Sequence, residues 1–151
     1  MYANFSREVV SHVVELYGDC WQKQLRGDLF ADLLFTQDGR YAEKPGRVAQ
    51  GSKEIADYWQ SQIVEREKAI KFVYIKSRDI VDLEKKTASV MWAATFNCRN
   101  GNKWKEVSFI QTAQLKFRFE RDQWRICDLL EILHHVSNRE EMKEFCGSWI
   151  K

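Results

Sequence analysis

The sequence predicts an α+β fold in which helices pack on one face of an antiparallel sheet. Two observations carry this. The run from Lys86 to Val136 reads as two successive β-hairpins, and the chain before it is dominated by amphipathic helical spacing. A third concerns continuity: there is one Pro in 151 residues, no low-complexity stretch and no internal repeat, so nothing marks a linker. The expectation is a single domain over residues 1–151, with its core from about 6 to 136 and a C-terminal helix from about 138 to 149.

Ser6 is placed to cap a first helix of about five turns. Its apolar stripe runs through Val9, Val10, Val13, Val14, Leu16, Tyr17, Cys20, Trp21 and Leu25. Gly18 within the stripe costs about 1 kcal/mol against Ala, so it points to a close approach of another element. Gly27 suits the C-cap of this helix, and Asp28 the N-cap of a short helix through Phe35. Asp38-Gly39 marks a turn, and Arg40 to Glu43 a short strand broken by Pro45-Gly46. Ser52 caps a third helix with Ile55, Trp59 and Ile63 on one face. Glu65 to Lys68 is a solvated charge run, and Phe72 to Val81, β-branched and aromatic, reads as a strand. After the hairpins, Ser137-x-x-Glu140 is a capping box opening the last helix, with Met142, Phe145, Cys146 and Trp149 on one side.

The hairpin turns set a register. With Asn100-Gly101 as a two-residue turn, Arg99 faces Asn102, Trp92 faces Phe109 and Val90 faces Gln111. With a four-residue loop from Glu120 to Gln123, Phe119 faces Trp124, Leu115 faces Asp128 and Phe109 faces His134. Side chains alternate along a strand, so one face gathers Trp92, Phe109, Gln111, Leu115, Asp128, Leu130 and His134 among other large apolar groups. That is the expected core face. The other is polar at its ends, with Met91, Ile110, Leu129 and Leu133 in its middle, and is expected to pair with a second copy in a homodimer.

Hydrophobic content of 44% and charged content of 30% are ordinary for a globular chain. The net charge of +2, with bases and acids interspersed, argues against a nucleic-acid partner. No apolar run approaches the ~20 residues of a membrane helix, and there is no charged-then-apolar leader, so a cytoplasmic or nuclear location without a membrane partner is expected. Cys20, Cys98, Cys127 and Cys146 have no ligand spacing and read as free thiols. His134 and His135 point to opposite faces and no Gly-rich phosphate loop is present, so neither metal nor cofactor is expected. The aromatic content of 13%, with six Trp, fits either a well-packed core or an aromatic-lined pocket.

Three segments, GDLFADLLFTQDGRYAEKPG (Gly27 to Gly46), GSKEIADYW (Gly51 to Trp59) and QWRICDLLEIL (Gln123 to Leu133), resemble the nuclear-transport-factor-2-like superfamily, the cone-shaped fold shared with SnoaL-like proteins. The resemblance extends from about Glu8 to Val136. It implies a curved antiparallel sheet wrapped around the N-terminal helices. It does not choose a function, because the superfamily includes enzymes, binding proteins and assembly domains. Its steroid isomerases carry an Asp before the Pro of the first strand and another on the fourth strand; the matching positions here are Lys44 and Leu115. Their helix-one Tyr falls near Cys20 or, by a looser alignment, Tyr17. That isomerase chemistry is therefore not implied. Neither is the scytalone-dehydratase pattern, which needs a pair of strand histidines. SnoaL-type cyclases place an acid on the last strand, where this chain has Asp128.

Asp128 is the candidate catalytic residue: a carboxyl desolvated by Phe117, Ile126 and Leu130 suits proton transfer. Its alternative duty is a structural pairing with Arg or Tyr. Asp128 and His134 lie about 20 Å apart along the strand and form no dyad. Tyr17, Trp59, Trp92, Phe109, Gln111, Leu115, Leu130 and His134 are expected to surround a small apolar ligand, in a cavity of about 300 Å³ or more. Two functions compete: a small-molecule pocket with lyase, isomerase or cyclase chemistry on Asp128, and a non-catalytic dimerising interaction module. Whether side chains fill the cone separates them.

Overall fold

Ser6 accepts a hydrogen bond from the Val9 N–H at 3.3 Å and so starts α1 (Arg7–Lys23) where the sequence predicts. The computed structural model describes residues 4–44, 46–65, 71–100 and 103–137. The expected C-terminal helix, with Met142, Phe145, Cys146 and Trp149, lies outside these residues, as do residues 66–68 of the charge run and the Gly101-Asn102 pair.

Helix α1 ends at Gln24, which takes the left-handed conformation (φ 48°) expected of Gly27. Gly27 instead begins α2 (Gly27–Leu34), because of what it touches: a Cβ there would sit 2.0 Å from the Ala56 carbonyl oxygen of α3 (Gly51–Glu65). Gly18 is likewise a close-packing glycine, since its Cβ would meet the Phe72 ring at 2.4 Å.

The strands are β1 (Phe35–Lys44), β2 (Val48–Gln50), β3 (Lys71–Tyr74), β4 (Ile80–Asp82), β5 (Thr87–Asn100), β6 (Lys103–Glu120) and β7 (Gln123–Ser137). They form one curved open sheet in the order β2-β1-β7-β6-β5-β3, with β4 also on β5. Two expectations are corrected here. The sheet is mixed, because β1 runs parallel to β7, a long-range pairing that no turn signal announces. The expected strand from Phe72 to Val81 divides into β3, a 3-10 turn at Lys76–Arg78 and β4. Asp38-Gly39 lies within β1, where the register against β7 shifts between Phe35 and Arg40.

Both hairpins form. In the first, Asn100 pairs with Lys103 and Trp92 with Gln111, two residues from the expected partners. An even displacement preserves faces, so Trp92, Phe109 and Gln111 still point inward. In the second, Phe119 pairs with Trp124 as expected, but the ladder then slips. Phe117 pairs with Ile126 and Lys116 with Asp128, leaving Cys127 as an extra residue. A second irregularity leaves His134 extra between the Gln111–Leu133 and Ile110–His135 pairs. Between these bulges each side chain of β7 faces the opposite way from a straight strand.

The inward residues of this stretch are therefore Leu129, Glu131 and Leu133. Leu129 belongs to the main core with Val90, Trp92, Leu115 and Phe117. The outer face loses two of the four residues expected to form a dimer surface, Leu129 and Leu133. Ile110 is buried with Ile75 and Ala93 in a small second cluster, and half-buried Met91 packs beside it. No helix among the described residues is long and apolar enough to cross a membrane.

Helix propensity alone favours Ala over Gly at position 27 by roughly 1 kcal/mol. The 2.0 Å contact to α3 backbone decides otherwise. Gly27→Ala is expected to destabilise the protein by about 2 kcal/mol or more, seen as a lower urea midpoint at unchanged slope.

Candidate functional site

The inward stretch of β7 brings a carboxylate into the cone. Glu131 is 3% exposed. Its Oε1 accepts hydrogen bonds from the Tyr17 hydroxyl of α1 at 2.5 Å and the Tyr41 hydroxyl of β1 at 2.6 Å. Its Oε2 lies 3.5 Å from Gln111 Nε2, and Gln111 Oε1 accepts from the Trp92 indole N–H at 2.9 Å. The two phenol oxygens are 3.1 Å apart. Three elements, α1, β1 and β6, thus converge on one carboxyl group of β7, which is what a buried acceptor requires. Glu43 pairs in register with Glu131 across the β1–β7 ladder, and its Oε1 accepts from the Tyr58 hydroxyl of α3.

This polar floor opens into a cavity of about 180 Å³ lined by Tyr17, Trp21, Glu43, Phe72, Trp92, Ala94, Phe96, Phe109, Gln111, Glu131 and Leu133. The cavity is smaller than expected because aromatic rings crowd it. Tyr17 and Trp92 have centroids 4.8 Å apart, Trp21 and Phe96 4.9 Å, and Phe72 and Trp92 5.8 Å. It still has room for a small molecule, since a dry cavity of about 150 Å³ accepts one benzene ring.

Four of the expected ligand-binding residues meet in this cavity: Tyr17, Trp92, Phe109 and Gln111. The others lie elsewhere. Trp59 is in the core behind it, stacked on Phe30 at 3.6 Å and donating its indole N–H to the Leu25 carbonyl at 2.7 Å. Leu115 is a core residue. Leu130 and Asp128 are turned out by the bulge at Cys127 and line an open outer groove of about 440 Å³. There Asp128 pairs with Arg40 at 3.5 Å, both side chains about half exposed. The inward position expected for Asp128 is thus corrected. His134, extra in its own bulge, is exposed and lies 2.5 Å from Thr112 Oγ1, away from the ligand cavity expected for it. Among the described residues no three His, Cys, Asp or Glu side chains are gathered as a metal ion requires.

Sequence reasoning missed Glu43, Glu131, Trp21 and Phe72. One signal was present. A straight β7 sends Asp128 and His134 into an apolar core while setting Leu129 and Leu133 outside. One inserted residue reverses all four placements at once.

Burial, and after it the negative charge of Glu131, pushes the Tyr17 hydroxyl well above the ordinary tyrosine value of 10.0. The same two causes, in the same order, raise Tyr41. Both phenols therefore stay protonated at neutral pH and act as donors. A proton acceptor in this cavity is then a carboxylate.

The protein-family model of the SnoaL-like domain matches residues 6–129. Comparison with curated proteins gives no match. Among solved structures, a type 2 hexachlorocyclohexane dehydrochlorinase is 10% identical with a TM-score of 0.70, over 87% of this chain and 86% of that one. A ketosteroid isomerase-like protein from Erwinia carotovora atroseptica is 14% identical with a TM-score of 0.62, over 85% and 95%. A hypothetical protein from Catenulispora acidiphila with a ketosteroid isomerase-like fold, in complex with trimethylamine, is 12% identical with a TM-score of 0.62, over 79% and 82%. At these identities the likeness is one of fold.

The buried phenols give a pH dependence of known sign. Their folded pKa lies above the unfolded value, so their stabilisation is complete below pH 10 and is lost as pH rises above it. Each contributes a slope of about 1.4 kcal/mol per pH unit in that window. Urea unfolding between pH 9 and 11 is expected to show the decline. The Tyr17→Phe/Tyr41→Phe double variant is expected to start less stable and decline less steeply.

Proposed function

The chain belongs to the SnoaL-like domain family, and on that premise we propose that its cone binds a small organic molecule of about single-ring size and moves a proton on it. The chemistry is of lyase, isomerase or cyclase type, with Glu131 rather than Asp128 as the proton acceptor. The observation that carries this reading is Glu131 itself, buried yet lining the cavity, with both phenols on a single oxygen. Tyr17 and Tyr41 hold Oε1, so the proton is taken at Oε2 beside Gln111. The aromatic walls exclude water and fix the ligand by shape. One structural neighbour carries the name of an elimination enzyme, a hexachlorocyclohexane dehydrochlorinase, and lends support to small-molecule chemistry in this fold.

A thermal-shift screen with single-ring, polar-headed compounds tests this on wild type, Glu131→Gln and Asp128→Asn. Glutamine keeps an acceptor for the phenols, so the cone stays built. A hit present at a hundredfold excess over its Kd is expected to raise the Tm of wild type and Asp128→Asn by about 5 °C or more. The shift is expected to be lost in Glu131→Gln, and turnover of any converted hit to fall about a hundredfold or more. A shift that follows Asp128 contradicts the reading. So does a screen without hits on a protein that self-associates in size-exclusion chromatography, which favours an interaction module instead.

A further inference from the structure

We infer that the ligand of this cavity is a small organic cation, an ammonium of about single-ring size. The inference rests on the reading of the cone as a ligand site and adds the ligand's charge. Glu43 and Glu131 occupy paired positions on neighbouring parallel strands and both line the cavity. Paired strands run about 4.8 Å apart, so the two acids approach the same small volume. Among the described residues no Lys, Arg or His lines it. The one His expected there, His134, lies on the outside.

The walls point the same way. Trp21, Phe72 and Trp92 line the cavity beside these carboxylates. An aromatic face within about 6 Å attracts a cation through its quadrupole, most strongly where water is excluded. An anionic ligand would meet two acids without a counter-charge, at a desolvation cost nothing in the lining offsets. A neutral ligand would add no charge-assisted hydrogen bond to either acid. An ammonium adds a charge-assisted hydrogen bond to each carboxylate and rests on the rings. The acids divide the work by depth. Glu43, half-buried and held by Tyr58, supplies the counter-charge, while the deeper Glu131 keeps its proton-accepting role.

Three probes sharing one ring and differing in head charge test this on the full chain: benzylamine, protonated at pH 7, benzyl alcohol and benzoate, each titrated calorimetrically at low salt. Benzylammonium is expected to bind about tenfold or more tighter than benzyl alcohol, and benzoate not to bind. The preference is expected to weaken with added salt. Glu43→Gln is expected to bring ammonium and alcohol within about twofold of each other, and Asp128→Asn, on the outer face, to leave the preference in place. Binding of benzoate, equal binding of the alcohol, or an undiminished preference in Glu43→Gln overturns the cationic assignment and leaves the ligand-site reading standing. Failure of all three probes overturns the assignment and counts against that reading as well.

Discussion

The structure depends on one inserted residue. Cys127 has no partner in the β6–β7 ladder, and every side chain from Asp128 to Leu133 faces as it does because of it. Its consequence inside is that Leu129 completes the core and Glu131 reaches Tyr17 and Tyr41. Its consequence outside is that Asp128 sits level with Arg40 of β1 and pairs with it. Bulges also bend a strand and raise its twist. Two of them in β7 suit a long sheet that must curl around α1.

Magnitudes decide which of the two carboxylates matters to the interior. Arg40 and Asp128 are both about half exposed, and an ion pair of that kind contributes about 1 kcal/mol at most. Glu131 is taken out of water, which costs several kcal/mol before its partners are counted. Tyr17, Tyr41 and Gln111 offset that cost, and Gln111 is itself held by Trp92. The cluster ties α1, β1, β5, β6 and β7 to a single point. It also keeps polar atoms at the floor of the cone, where apolar side chains would otherwise close the cavity. Site and scaffold are therefore the same interaction viewed from two sides.

Much of the fold was legible in local chemistry. Ser6 announces α1, the hairpin turns announce β5 to β7, and the apolar periodicity of α1 finds Val9, Val13, Tyr17 and Trp21, all buried. Even the two-residue displacement of the first hairpin left the inner face intact, because alternation survives an even shift. Of the site, Tyr17, Trp92, Phe109 and Gln111 were legible by that alternation. Glu131 and Asp128 exchanged places because a bulge is an odd shift, and no turn residue or glycine marks it. Glu43 remained hidden for another reason: its side chain matters only once β1 lies parallel to β7. That contact joins residues nearly ninety positions apart, and hydrophobic patterning carries no record of it.

Cross-strand nuclear Overhauser contacts between the backbones of β6 and β7 measure the register of the last strand directly. Leu115 is expected opposite Leu129 and Ala113 opposite Glu131, with Cys127 skipped. Contacts that instead set Leu115 opposite Asp128, in an uninterrupted ladder from Phe119–Trp124, would turn Glu131 out of the cone and leave the cavity without its buried carboxylate.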